Sequence, residues 1–194
     1  MKSTKGVAAA VVLLLAIPLA IASQALSEEA AGTVIHLAVG AGSVLLAAAM
    51  FDFALPRWVT WLGAASAGAF GTIFLLQGVA LVVSNDALTY IAYDVLGQQL
   101  ERWLPDGILV WFVALLLVAS QGKTRWLGAA VVTIVVGLEV AGIIAALLGA
   151  EMPLQKVLYL LPIVWLLFES AKRSSSEPTG QPSRRHELVE SPSH

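Results

Sequence analysis

The sequence predicts an all-α integral membrane protein, and three observations lead to that fold class. Hydrophobic residues make up 58% of the 194 residues, charged residues only 12%, and the mean hydropathy is +0.84. A soluble domain carries about 25% charged residues, so this chain has too little charge to cover a soluble surface. The apolar residues also fall into long stretches, none of which alternates with the two-residue period of a barrel strand.

Six stretches come close to the length of a membrane span, since about 20 apolar residues in a helix cross roughly 30 Å of hydrocarbon. They are residues 7–22, 31–55, 58–84, 106–120, 126–150 and 157–168. Because backbone groups in lipid must bond within their own segment, each stretch is expected to be a helix. Residues 1–173 are therefore predicted to form a six-helix transmembrane bundle.

The first stretch has a second interpretation. Lys2 and Lys5 precede its apolar run, and Pro18 and the small-residue sequence Ala20-Ile21-Ala22 follow. A cleaved signal peptide has the same pattern, and cleavage would leave a five-helix bundle. The apolar run is longer than a secretory core, which favours a retained anchor.

The basic residues predict the orientation of the bundle. With the N-terminus in the cytoplasm, nine of them lie on the cytoplasmic side and two outside, as the positive-inside rule requires. The cytoplasmic set is Lys2, Lys5, Arg57, Lys123, Arg125, Lys172, Arg173, Arg184 and Arg185, and the exterior set is Arg102 and Lys156. This predicts a multi-pass protein of the plasma (inner) membrane with both termini cytoplasmic. Tryptophans near span ends are expected in the headgroup layer: Trp58, Trp61, Trp103, Trp111 and Trp126.

Residues 86–104, between the third and fourth spans, predict an exterior amphipathic helix. Its apolar residues recur at helical spacing and its polar residues mostly occupy the other side. Asn85 or Asp86 can cap its start, and Pro105 closes it. We expect this helix to lie on the outer membrane face or to cap the bundle. It either shields helix ends only or serves as a substrate gate or partner-docking helix.

The cytoplasmic side carries short turns and a polar tail. Asp52 and Arg57 flank one turn and are expected to pair, and Glu169 is expected to pair with Lys172 and Arg173 along a helix surface. Residues 174–194 are rich in Ser and Pro with little to bury, so we expect a disordered tail.

His36 and Gln77 are polar side chains inside predicted spans, where every such group is a candidate functional site. His36 heads a stripe of small residues that allows another helix to approach closely: Gly40, Ser43 and Ala47. Adjacent antiparallel helices would place His36 and Gln77 at similar depth, so a hydrogen bond between them is expected. The functional alternatives for His36 are a haem ligand, a proton relay or a substrate contact.

Glu139 lies in the middle of the fifth predicted span. A carboxylate at that depth should face the bundle interior, accept hydrogen bonds or be protonated. No Lys or Arg lies at matching depth, so we expect Glu139 to be neutral or linked to water. It either bonds a neighbouring helix or forms a proton or cation site.

The composition excludes several function classes. The absence of cysteine excludes disulfides, thiolate metal sites and cysteine nucleophiles, and a net charge of −2 offers no footprint for nucleic acid. One His and one Glu in the spans do not make a zinc site or a two-imidazole haem site, so no catalytic residue, metal or cofactor is predicted. The expected partners are the lipid bilayer and a membrane protein or a second copy.

The sequence therefore favours a non-catalytic scaffold, sensor or accessory subunit. A small transporter that uses Glu139 as a proton or cation site is the first alternative. A membrane redox protein with His36 as a haem ligand is the second.

Overall fold

The computed structural model describes residues 4–25, 27–100, 103–147 and 160–175, which are helical apart from short turns, with no strand among them. In chain order the described helices are α1 (Thr4–Gln24), α2 (Glu28–Met50), α3 (Arg57–Val83), α4 (Asp86–Leu100), α5 (Leu104–Ala119), α6 (Lys123–Leu147) and α7 (Leu160–Ser175). Two stretches are wound as wider π-helix, Tyr90–Gly97 within α4 and Leu115–Ala119 at the end of α5.

Three of the described helices, α1, α2 and α3, are each long and apolar enough to cross a membrane. α4 and α5 meet the same criterion only as a pair, which bends by 49° at the break between them. The described residues thus support three membrane-crossing candidates, or four when the bent pair forms one span, compared with the six spans that the sequence predicts.

The observed helix ends differ from the predicted spans at several places. α2 ends at Met50 rather than at residue 55, because the chain turns after Met50 and Pro56 is the residue that precedes α3. The predicted helix over 86–104 stops at Leu100, and α5 begins at Leu104. α7 runs to Ser175, so the first two residues of the predicted tail are helical. Residues 157–159 and 176–194 lie outside the described part of the chain.

α2 and α3 pack in direct backbone contact. A Cβ atom placed on Gly71 would lie 2.7 Å from the carbonyl oxygen of Gly40, and Ser43 and Ala47 of α2 also face glycines of α3. The small-residue stripe that follows His36 is therefore the surface on which α3 lies. Contact this close suits helices in lipid, which gain stability from packing rather than from exclusion of water.

α1 packs against α2 and α7 as a part of the bundle. Leu13 of α1 fills the space left by the missing side chain of Gly42, where an added Cβ would lie 2.7 Å from its Cδ2 atom. Ala9 and Ala10 are fully buried. Retention of the first span remains a prediction. The packing of α1 on α2 and α7 is the contribution that a retained helix would make to the bundle.

α4 and α5 both run antiparallel to α3, along its side. Ala92 of α4 lies beside Gln77, and further along the chain Gly107 of α5 lies against Ser66 and Trp111 against Gly63. The chain therefore follows α3 from the level of Gln77 to that of Gly63 in two pieces. The predicted position of this helix, on the outer membrane face or capping the bundle, stays a prediction.

The end of the bundle that contains the turn between α2 and α3 holds an aromatic core. The ring of Trp111 contacts Phe53 and Phe112 edge to face, with centroids 5.2 Å apart in both pairs, and Phe112 contacts Trp165 of α7. The sequence predicts Trp111 in the headgroup layer, and in the structure its ring is fully buried between helices. The reason is Gly63, since a Cβ there would lie 2.7 Å from the Cβ of Trp111.

Candidate functional site

His36 lies where α2, α3 and α4 meet. Its Nδ1 atom donates to the carbonyl oxygen of Gly32 one turn earlier, 2.6 Å away, which leaves Nε2 of a neutral ring as an acceptor. The hydroxyl of Tyr93 in α4 lies 3.5 Å from Nε2 and donates to it. The ring of Phe74 in α3 lies 5.4 Å away, centroid to centroid. Both imidazole nitrogens are therefore engaged by protein atoms.

Gln77 makes the second polar contact between the bundle and α4. Its side chain is only 3% exposed, and its Nε2 atom donates to the carbonyl oxygen of Ala92 over 3.3 Å. That carbonyl belongs to the π-helical part of α4, where the wider winding changes which backbone groups bond to one another. The residue next to Ala92 is Tyr93, so His36 and Gln77 hold neighbouring positions of the same helix.

His36 and Gln77 lie at similar depth, as the sequence predicts. The Cβ of His36 would lie 3.3 Å from a Cβ placed on Gly78, the residue after Gln77. A direct hydrogen bond between the two side chains stays a prediction. Each of them has a described bond to α4, and the sequence offered no signal for this contact. We call His36, Gln77, Ala92 and Tyr93 the α4 polar cluster.

A second polar cluster lies at the opposite end of the bundle. Glu169 of α7 is 2% exposed, and the hydroxyl of Ser120, at the end of α5, donates to its Oε2 atom over 3.3 Å. Ser120 and Ser170 are buried as well. Glu169 is therefore covered rather than exposed along a helix surface, while its predicted pairing with Arg173, whose side chain lies outside the described residues, stays a prediction. The reason is that α7 continues past residue 168, and the end of α5 covers the side chain of Glu169.

Two other expectations at this end are corrected. Lys172 donates from Nζ to the carbonyl oxygen of Gln121 and to the hydroxyl of Thr124, 2.6 and 3.3 Å away, so it ties α7 to the start of α6. Asp52 faces Lys5 of α1, with 3.7 Å between Oδ1 and Nζ, rather than the predicted Arg57. The side chain of Asp52 is 6% exposed, because the turn after α2 folds it towards α1.

Glu139 belongs to α6, but its side chain lies outside what the structure describes. The interpretation of Glu139 as a buried hydrogen-bonded acid or as a proton or cation site therefore stays a prediction. Within the described ranges no three His, Asp or Glu side chains are close enough together to hold a metal ion.

Two surface hollows lie away from both polar clusters. One is apolar and runs between α3 and α5, lined among others by Trp58, Val110 and Val113. The other lies at the turn before α3 and is lined among others by Phe51 and Arg57. Neither is lined by His36, Gln77 or Glu169. Comparison of the chain with protein families, with curated proteins and with solved structures found no match.

Proposed function

We propose that the chain is a six-span membrane protein with both termini in the cytoplasm, serving a larger membrane assembly as a non-catalytic scaffold, sensor or accessory subunit. α1, α2 and α3 supply three spans, α4 together with α5 supplies a broken fourth, and α6 and α7 supply the last two. Three of the described helices meet the length and apolarity of a span by themselves.

One observation supports this proposal: in the described helices, three side-chain hydrogen bonds of buried or half-buried polar groups join neighbouring helices. Tyr93 donates to His36, Gln77 donates to Ala92, and Ser120 donates to Glu169. Groups that perform chemistry or move ions must face a substrate or a water-filled path. The described groups named above join helices instead, which favours a structural role over a catalytic or transport role.

Native mass spectrometry after extraction in nanodiscs tests the proposal. We expect the chain to be recovered in an assembly of defined stoichiometry, with a second copy or a membrane-protein partner. Recovery of the chain as a monomer, under conditions in which a known membrane complex of the same cells stays intact, would contradict it.

The break between α4 and α5 favours a small transporter as the second candidate. Discontinuous helices within a bundle line the substrate sites of many transporters, and the 49° bend lies in the part of the chain that runs beside α3. In this proposal Glu139 binds the coupling proton or cation.

Ion flux into liposomes that contain the purified chain separates the two candidates. Transport predicts flux above that of empty liposomes, abolished by Glu139→Gln and kept by Glu28→Gln, a matched change at an exposed acid. Flux equal to that of empty liposomes would remove the transporter and leave the scaffold.

A further inference from the structure

The hollow at the turn between α2 and α3 combines one cation with aromatic rings. Its volume is about 290 Å³, close to the lower end of the range for small-molecule sites, roughly 300 Å³. Phe51 and Trp61 line it and contact each other edge to face, with ring centroids 5.1 Å apart. The buried ring of Phe53 lines it as well. Its polar members are Arg57 and Thr60.

The positive charge of Arg57 is not neutralised by any residue that the structure describes. Asp52, the nearest acid in the sequence, faces Lys5 with 3.7 Å between Oδ1 and Nζ, and no described hydrogen bond or ion pair reaches Arg57. Arg57 is also the first residue of α3, and Pro56 before it has no side-chain group to cap the free backbone N–H groups. Those groups add positive potential to that of the guanidinium. The hollow therefore favours an anion.

In the proposed bundle this hollow lies at the membrane surface. The turn between α2 and α3 is irregular backbone, which lipid-exposed chain does not adopt within hydrocarbon. Trp58 and Trp61 at the start of α3 are 67% and 60% exposed, and such amphipathic rings favour the headgroup layer. Anionic lipid headgroups at that level attract Lys and Arg side chains. The hollow thus places a free guanidinium where lipid phosphates are found.

We propose that the hollow binds the headgroup of an anionic phospholipid, with the guanidinium of Arg57 donating to the phosphate oxygens. The planar fork of N–H groups in arginine matches the geometry of a phosphate. The rings of Phe51 and Trp61 then pack against the apolar part of the same lipid. The proposal rests on the membrane location given under the proposed function. A soluble anion in the hollow is an outcome that would overturn it.

Titration of the detergent-purified chain with phosphatidylglycerol, followed by native mass spectrometry, tests the site. We expect one tightly bound lipid, and weaker binding of phosphatidylcholine, whose own cation offsets its phosphate. Arg57→Gln should weaken phosphatidylglycerol binding about fivefold, the factor for one surface cation beside anionic lipid. Arg125→Gln is the matched control, since Arg125 is an exposed arginine next to the exposed Trp126, and we expect no change. Equal weakening in both variants, or in neither, would overturn the proposal, as would equal binding of the two lipids.

A second pair of variants tests the hollow separately from the charge. Leu55 lines the hollow, so Leu55→Trp fills it and keeps Arg57. Leu62→Trp adds the same ring to α3 at a residue that is 42% exposed and does not line the hollow. We expect Leu55→Trp to weaken phosphatidylglycerol binding at least as much as Arg57→Gln, and Leu62→Trp to leave it unchanged. Full binding by Leu55→Trp would place the lipid elsewhere and overturn the proposal.

A last measurement distinguishes a lipid from a soluble anion, and failure of the site from failure of the proposed function. If inorganic phosphate protects the lipid-free protein from thermal unfolding, and Arg57→Gln removes that protection, the hollow holds a soluble anion and the lipid is excluded. If no phospholipid binds a protein that still requires detergent for recovery, the site is wrong while the membrane location stands. Recovery without detergent would remove the membrane location, and the proposed function with it.

Discussion

The side-chain amide of Gln77 donates to the carbonyl of Ala92 over 3.3 Å, and this bond sets the level at which α4 packs beside α3. The acceptor is a backbone group of a π-helical stretch, so the contact depends on the winding of α4 as well as on its sequence. It also gives a hydrogen-bond partner to the amide of Gln77, which is buried in an otherwise apolar helix.

Gln77→Leu should destabilise the bundle by about 1–2 kcal/mol, because the carbonyl of Ala92 loses its buried donor. Steric-trapping unfolding in lipid measures the change. Thr72→Val is the matched control, since the Thr72 hydroxyl is exposed and bonds only within its own helix, to Gly68. We expect a change within about 0.5 kcal/mol for that control. Equal losses in the two variants would mean that the Gln77 bond contributes nothing specific.

Gly71→Val should cost about 2–3 kcal/mol, because the added side chain would push α2 and α3 apart. A Cβ at Gly71 already lies within 3.0 Å of the carbonyl oxygen of Gly40 and the backbone nitrogen of Val44. Gly137→Ala serves as the control: nothing lies within 4 Å of its added Cβ, and the helix should gain up to about 1 kcal/mol. A Gly71→Val protein as stable as the parent would refute the close contact.

Tyr93→Phe should loosen α4 selectively. The hydroxyl that reaches His36 is lost while the aromatic contact remains, with ring centroids 5.7 Å apart. We expect amide hydrogen exchange in α4 to rise about fivefold, the factor for the loss of roughly 1 kcal/mol. Tyr90→Phe removes an exposed hydroxyl from the same helix and should leave the exchange unchanged. The same rise in both variants would show that the hydrogen bond between Tyr93 and His36 does not hold α4 in place.

Glu169→Gln should be tolerated better than Glu169→Leu, because the amide oxygen of Gln can still accept from Ser120. Leu at this position leaves the buried hydroxyl of Ser120 without that acceptor, at a cost of about 1–3 kcal/mol. Thermal unfolding in detergent distinguishes the two variants. If Leu were the better tolerated, Glu169 would not stabilise this end of the bundle.

The features that hydropathy dictates could be predicted from the sequence. The three long spans, the small-residue stripe from Gly40 to Ala47 and the similar depth of His36 and Gln77 all follow from helical spacing and short turns. These properties depend on local sequence, because a helix in lipid forms its backbone hydrogen bonds within its own segment.

The contacts between distant segments could not be predicted in this way. The sequence of α4 looks like that of a surface helix, and only its contacts with His36 and Gln77 reveal that it lies beside α3. Trp111 looks like a headgroup residue until Gly63 is seen to make room for its ring. Asp52 pairs with Lys5 rather than with Arg57, its near neighbour in the sequence, because α1 packs against α2. The spacing of residues along the chain does not predict that packing.

Substituted-cysteine labelling in intact cells tests the central claim most directly, which is that the chain threads a membrane with both ends in the cytoplasm. Four exposed turn or helix-start positions alternate in predicted side: Ala25 and Asp86 outside, Ala54 and Gln121 inside. A membrane-impermeant maleimide should label Ala25→Cys and Asp86→Cys at once, and Ala54→Cys and Gln121→Cys only after the cells are opened. Labelling of all four from outside, or of none until lysis, would contradict the account.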